Sequence, residues 1–100
     1  MARVDSGDIG RWRGLDAAVA LMAIADHAKR DVTFEPIKNR TTTRWHASVH
    51  GRDFELLLTG PKFFDTRAEA GGGGGAIDLA MHLLRVDFKT AAGALSRKGL

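Results

Sequence analysis

The chain has 100 residues and no cysteine; 44% of its residues are hydrophobic and 27% are charged. This composition is typical of one ordinary globular domain. Without cysteine, the chain has no disulfides, no zinc sites built from thiolates and no cysteine nucleophile. The net charge is +3, and no apolar run approaches the roughly 20 residues of a membrane-spanning helix. No membrane partner is therefore expected, and a cytoplasmic location is the default interpretation.

Residues 1–14 are polar, with three glycines and no hydrophobic period, so we expect an irregular lead-in before a single domain at 15–100. Trp12 is expected to fold back as a packing anchor, because tryptophan is usually buried. A first helix is predicted over about 16–30. Asp16 is a plausible N-cap there, and apolar residues follow at spacings of three and four.

Strands are predicted next. Residues 31–37 alternate in polarity but include Pro36, which predicts a short or edge strand. Residues 41–49 are rich in β-branched and aromatic side chains, which favour a strand. Alternation gives this strand two faces: Trp45, Ala47 and Val49 on one, and Arg44, His46 and Ser48 on the other.

Two further strands, at 53–59 and 62–65, follow predicted turns at 50–52 and 60–61. Since side chains alternate along a strand, one of Phe63 and Phe64 must face away from the core.

Five consecutive glycines at 71–75 are predicted to form a Gly-rich loop that opens onto a helix. Glycine has no side chain to bury, so such a run indicates close backbone approach, positive φ angles or a flexible linker. Backbone N–H groups at a helix N-terminus attract anions, which makes Gly74 and Gly75 candidate phosphate contacts. The run lacks the lysine and Ser/Thr of a Walker A loop.

Two C-terminal helices complete the pattern. The first is predicted at 76–84, and the second follows Asp87 as its N-cap. The predicted fold is therefore α+β: an N-terminal helix, a small antiparallel sheet of three or four strands, the Gly-rich loop and two C-terminal helices.

Residues 36–52 hold four cations, two histidines and Trp45 but no acidic residue. Single-stranded nucleic acid is bound by cations that follow the phosphates and by flat rings that stack on bases. Trp45 either stacks in this way or points into the core with Ala47 and Val49; the sequence leaves both open. A second basic-aromatic cluster lies next to the glycines. The candidate nucleic-acid-binding residues are Lys38, Arg40, Arg44, Trp45, His46, Arg52, Lys62, Phe64, Arg67, Gly74 and Gly75.

The four histidines have no carboxylate cluster near them in the sequence, and no nucleophile elbow or coherent catalytic set is present. We therefore expect no metal, no cofactor and no enzymatic activity.

The C-terminal half resembles a known family. Two runs carry the likeness, GGAIDLAM at 74–81 and DFKTAAGAL at 87–95, preceded by FEL at 54–56 and KFF at 62–64. They are similar to the CHC2-type zinc-ribbon domain at the amino end of bacterial and phage DNA primases. The resemblance covers about residues 41–95, closely in the helix pair and loosely in the strands.

That family holds zinc with three cysteines and a histidine. This chain has no cysteine, and Asp65 and residues 66–70 stand where a second ligand pair is expected, so the resemblance implies a zinc-ribbon-like fold without zinc. It is nearer to cysteine-free relatives carried by plasmids and other mobile elements. The family's domain contacts the single-stranded template and does not polymerise. The implied contact residues are Arg44, His46, Lys62, Phe64 and Arg67.

The sequence thus predicts a non-catalytic module, related to the template-recognition domain of primases, that binds single-stranded DNA through a basic and aromatic sheet face. The alternative is a protein-interaction domain of a mobile element, an accessory factor or inhibitor that docks on a replication, transfer or defence complex.

Overall fold

The computed structural model describes residues 6–67 and 71–100, apart from the side chain of Ser6, and has the expected α+β architecture. The elements, in chain order, are α1 (Ser6–Gly14), α2 (Ala17–Ile24), β1 (His27–Arg30), β2 (Thr43–Val49), β3 (Arg52–Thr59), β4 (Lys62–Asp65), β5 (Gly72–Gly74), α3 (Ala76–Leu84) and α4 (Phe88–Arg97).

The five strands of the described residues form one antiparallel sheet in the order of the chain, β1-β2-β3-β4-β5. Every second residue of β2, β3 and β4 is buried, so one face of the sheet packs against the helices. That face joins the core through Trp45, Ala47, Val49, Phe54, Leu56, Leu58 and Phe63. We call the opposite side the outer face; its residues are those at alternate positions from Arg44 on β2, from Asp53 on β3 and from Lys62 on β4.

The predictions for β2, β3, β4, α3 and α4 are confirmed to within two residues at each end. Residues His50 and Gly51 connect β2 to β3 with φ angles of 50° and 78°, as a tight hairpin turn requires. Asp87 accepts a hydrogen bond from the backbone N–H of Thr90 and caps α4 as expected.

The irregular lead-in predicted for residues 1–14 is wrong over 6–14, where the chain forms α1; residues 1–5 lie outside the described part of the chain. Trp12 on α1 is only 1% exposed, which confirms it as a packing anchor. Because α1 contacts α3, the predicted boundary at residue 15 separates a helix from the core to which it belongs.

The first helix, predicted over about 16–30, ends instead at Ile24 and is followed by β1. Ala25 has extended backbone angles. The backbone N–H of Asp26 donates to the carbonyl of Ser48, and its carboxylate accepts the N–H of His50. These contacts, with four residue pairs between β1 and β2, outweigh the helical periodicity of the segment.

The strand predicted at 31–37 is also wrong, because the chain is a loop from residue 31 to 42. The carboxylate of Asp31 accepts hydrogen bonds from the N–H and hydroxyl of Thr33, and the side-chain oxygen of Asn39 does the same for Thr41. Such Asx turns compete with strand formation. Ile37, in this loop, is 98% exposed.

The glycine run is not a loop. Gly72–Gly74 form β5, the edge strand paired with β4, so the flexible-linker reading is wrong too. A Cβ on Gly73 would lie 2.7 Å from Cε1 of Phe63 and 3.0 Å from Cβ of Asp78. The expected close approach of the glycine backbone is therefore confirmed, and what the backbone of Gly73 approaches is the side chain of Phe63 in the core. Gly75, with φ of 130°, turns the chain into α3.

None of the helices in the described residues is both long enough and apolar enough to span a membrane.

Candidate nucleic-acid interface

The register of the hairpins brings the predicted outer-face residues together. His46 on β2 lies directly opposite Glu55 on β3, and Leu57 on β3 lies opposite Phe64 on β4. Thr59 pairs in the same way with Lys62. Directly opposed residues share a face, so the basic residues of β2 and the aromatic residue of β4 belong to one continuous surface.

Glu55 organises the charge on this surface. Its carboxylate forms an ion pair with Arg44 and lies 3.6 Å from Nε of Arg67 and 3.8 Å from Nε2 of His46. The Glu55 side chain is only 14% exposed, so one carboxylate holds three potential cations in place. Arg44, one of the implied contact residues, has its guanidinium tied to Glu55. Arg44 still contributes positive charge to the outer face.

Trp45 does not present its ring to solvent. It is 9% exposed, lies among the core residues, and its indole N–H donates to the hydroxyl of Thr43 at 2.9 Å. Trp45 is therefore removed from the candidate nucleic-acid-binding residues. Of the two orientations that the sequence left open, the structure has the one in which Trp45 packs in the core. The alternation that placed Trp45 with Ala47 and Val49 accounts for this.

Phe64 is the aromatic side chain that the outer face exposes. Its ring lies on the opposite face of the sheet from the buried Phe63, and 51% of the surface of Phe64 is accessible. Leu57 lies beside it on β3, and Gly72 lies beside it on β5, where an added Cβ would be 3.5 Å from the Phe64 ring. The glycine strand therefore leaves open space next to an exposed ring. Lys62, two residues before it, is exposed on the same face.

Gly74 and Gly75 cannot serve as predicted. The N–H of Gly74 donates to Oδ2 of Asp78 at 3.3 Å, and the N–H of Gly75 donates to the carbonyl of Pro61 at 3.0 Å. Asp78 places the chain's own carboxylate at the N-terminus of α3, where a phosphate was expected. Both glycines are therefore withdrawn from the set of phosphate contacts.

The remaining candidates lie at the margins of the outer face. Lys38 and Arg40 are exposed on the loop at 31–42. Lys38 lines an apolar cleft of about 390 Å³ that this loop forms with Leu57. Arg52 begins β3 opposite Val49, so its position in the register is that of the helix-facing side of the sheet.

A polar cleft of about 360 Å³ lies on the outer face between β1 and the end of β4. Its polar side chains are His27, Lys29, His46, Ser48, Asp53 and Arg67. Sequence reasoning missed His27 and Lys29, because it placed both on a helix. Once β1 pairs with β2, Lys29 lies opposite His46 and His27 lies opposite Ser48.

A buried Asp–His pair is a second feature that the sequence did not reveal. Asp65 is 4% exposed, and its Oδ2 lies 2.6 Å from Nε2 of His82 on α3. The other carboxylate oxygen of Asp65 accepts the N–H of Arg67 at 2.9 Å. The pair joins the end of β4 to α3. Within the described ranges, no three histidine or acidic side chains lie close enough to hold a metal ion. Of the segment at 66–70, residues 68–70 lie outside these ranges.

Comparisons with known proteins give no relative: no family model, no curated protein and no solved structure matches this chain. The similarity to the primase zinc-ribbon domain therefore stays a prediction, and the outer face must be interpreted from its own chemistry.

Proposed function

We propose that this protein is a non-catalytic module that binds single-stranded DNA through the outer face of its sheet. The observation that carries the proposal is Phe64, an aromatic ring half exposed on an open sheet face, with Lys62 on the same strand and Arg44, paired with Glu55, two strands away. A ring in this position offers a stacking platform, which every base can use.

The charge of the outer face suits a phosphate backbone. Its cations are Lys29, Arg44, Lys62 and Arg67, against the three carboxylates of Asp31, Asp53 and Glu55. The face is therefore net positive. Neighbouring strands lie about 4.8 Å apart, so these cations extend over roughly 14 Å from β1 to β4. A phosphate chain that crosses the sheet therefore meets positive charge on more than one strand.

The geometry favours single strands over duplex. Stacking on Phe64 requires an unpaired base, and a duplex offers its bases only at the groove edges. The outer face in the described residues carries no helix that could enter a major groove. Discrimination between single and double strands is therefore part of the proposal.

Fluorescence anisotropy with a labelled oligonucleotide of about 12 bases tests the proposal. Phe64→Ala should weaken binding about fivefold or more, because stacking contributes about 1–3 kcal/mol per base. Lys62→Gln should weaken binding and reduce its salt dependence by about one phosphate contact. Phe88→Ala and Lys89→Gln are matched controls, because Phe88 is 45% exposed and both residues belong to α4, away from the sheet.

The controls should bind like the unmodified protein. Absence of binding to single strands at low salt would contradict the proposal, as would equal losses in the α4 controls and the β4 variants.

The second candidate function, a protein-interaction domain of a mobile element, is favoured by one observation. Val32 and Ile37 are 86% and 98% exposed, on the loop whose Phe34 and Pro36 line the apolar cleft with Leu57. Exposed apolar patches often mark protein contacts. Under this alternative, the unmodified protein captures a replication, transfer or defence complex, and Ile37→Ser abolishes this capture. Neither the unmodified protein nor any variant then binds the oligonucleotide.

A further inference from the structure

A second cleft carries an unusual set of cations. We define the corner cleft as the cavity of about 340 Å³ bounded by the start of β3, the end of β4 and the C-terminus of α3. Three arginines from distant parts of the chain line it: Arg52, Arg67 and Arg85. We propose that the corner cleft binds a phosphate group, in particular the terminal phosphate of a bound strand.

The arginines are available to a ligand. Among the described residues, Arg52 and Arg85 form no ion pair or side-chain hydrogen bond, and both are exposed. Within the described part of the chain, the guanidinium of Arg67 has a single ion-pair contact, 3.6 Å to Glu55. The guanidinium group donates in a planar fork that matches phosphate oxygens, so Arg52 and Arg85, which have no partner among the described residues, are suited to this anion, with Arg67 beside them.

The carboxylates of the cleft are already engaged. Asp65 is held by His82 and by the N–H of Arg67, and Asp53 accepts the hydroxyl hydrogen bond of Ser48 at 2.9 Å. Neither needs one of the arginines as its partner. A phosphate can therefore contact the arginines without displacing a partner of these two carboxylates.

His82 lines the same cleft. Its Nε2 is fixed by Asp65, and its ring packs against the rings of Phe54 and Phe63 at centroid distances of 5.8 and 5.5 Å. Nδ1, the other ring nitrogen, has no hydrogen bond among the described residues. The ring is thus a rigid reporter of ligand in the cleft.

The backbone does not assist. Arg85 caps α3 in the left-handed conformation, with φ of 56°, and the C-terminal end of a helix is the end that disfavours anions. Binding must therefore depend on the arginine side chains, and their neutralisation should abolish it.

The position of the cleft explains the choice of ligand. It shares Arg67 and Asp53 with the polar cleft of the outer face. A strand that crosses the outer face therefore arrives at the corner cleft where the sheet ends. This assignment to a strand terminus rests on the proposed function, whereas phosphate binding by the arginines does not.

The test compares one 12-base strand in three forms: with hydroxyl ends, with a 5′-phosphate and with a 3′-phosphate. One phosphorylated form should bind about tenfold more tightly than the hydroxyl form, the size expected for hydrogen bonds between charged groups. The double variant Arg52→Gln/Arg85→Gln should lose this preference. The double variant Arg30→Gln/Arg97→Gln removes the same charge elsewhere and should retain it.

Inorganic phosphate alone, titrated while the His82 ring signals are followed by NMR, supplies the second measurement. Phosphate should shift the His82 signals of the unmodified protein but not those of Arg52→Gln/Arg85→Gln, and this result would support the cleft even if no oligonucleotide bound. In that case the outer-face proposal alone is rejected, and the cleft is assigned to free phosphate or a mononucleotide. Equal affinity for all three strands, with no His82 shift in phosphate, overturns the inference and leaves single-strand binding standing.

Discussion

Replacing Gly73 by alanine tests why the chain needs its glycine run. An added Cβ would lie 2.7 Å from Cε1 of Phe63, 3.0 Å from Cζ of the same ring and 3.0 Å from Cβ of Asp78. Phe63 is 5% exposed and packs against the His82 ring, so it has no space into which to move. Overpacking of this kind costs about 1–3 kcal/mol.

Gly74 provides the matched control, one residue away on the same strand. Among the described residues other than its chain neighbours, the nearest atom to its added Cβ is Cγ of the flexible Lys62 side chain, at 3.9 Å. Gly74→Ala should therefore be neutral or should stabilise the protein by up to about 1 kcal/mol, because alanine restricts the unfolded chain. The same substitution is thus expected to lower the stability of the protein at Gly73 and to leave it unchanged or raise it at Gly74.

Thermal unfolding followed by circular dichroism measures the difference. One kcal/mol shifts the Tm of a domain of this size by about 4–8 °C, so a stability difference of about 1–4 kcal/mol should separate the Tm values of the two variants by at least about 4 °C. Equal Tm values, or a Gly73→Ala protein as stable as the original, would refute the packing of β5 against Phe63.

Three further predictions concern the core, the outer face and a helix cap. Trp12→Ala should lower the free energy of unfolding, measured by urea titration, by about 3–5 kcal/mol, because a fully buried indole is lost. A decrease of less than about 1 kcal/mol would show that α1 is not part of the core. Glu55→Gln should tighten binding to a single strand about twofold to fivefold at low salt, since it removes an anion that neutralises Arg44 and Arg67; weaker binding would mean that Glu55 acts mainly by orienting them. The backbone N–H of Thr90 holds the pKa of Asp87 below its ordinary value, so its stabilising effect is complete above pH about 4 and is lost as the pH falls through the lowered pKa. The Tm of the protein should drop over this acidic range, and that of Asp87→Asn should drop less; parallel curves would contradict the cap.

The hairpins were predictable because their signals are local. His50 and Gly51 form a two-residue turn, which fixes the register of β2 on β3 and so places His46 opposite Glu55. Alternation then decides that Trp45 is buried and that Glu55 lies among the cations. The ion pair between Arg44 and Glu55 could therefore have been predicted from the sequence, although composition alone indicates only the positive charge of Arg44.

The two outer strands were not predictable by the same reasoning. The β1 segment has helical spacing, and only its contacts with β2 make it a strand. The β5 segment has no side chains to pattern, so nothing local distinguishes a strand from a loop. Both strands form because a neighbouring strand already exists, which is tertiary information. The loop at 31–42 is different: its two Asx turns, Asp-x-Thr and Asn-x-Thr, are readable in the sequence.

The Asp65–His82 pair and the corner cleft also depend on tertiary contacts. Seventeen residues separate Asp65 from His82, and the arginines of the cleft span positions 52 to 85. No spacing rule links them. They meet because β4 ends next to the C-terminus of α3.

The most direct measurement for the outer-face proposal is an NMR titration of the labelled protein with a single-stranded oligonucleotide. Binding as proposed shifts the amide signals of β2, β3 and β4, with the largest changes around Lys62, Phe64 and Arg67, and leaves α4 unchanged. Shifts confined to the helices, or none at low salt and millimolar oligonucleotide, would contradict it.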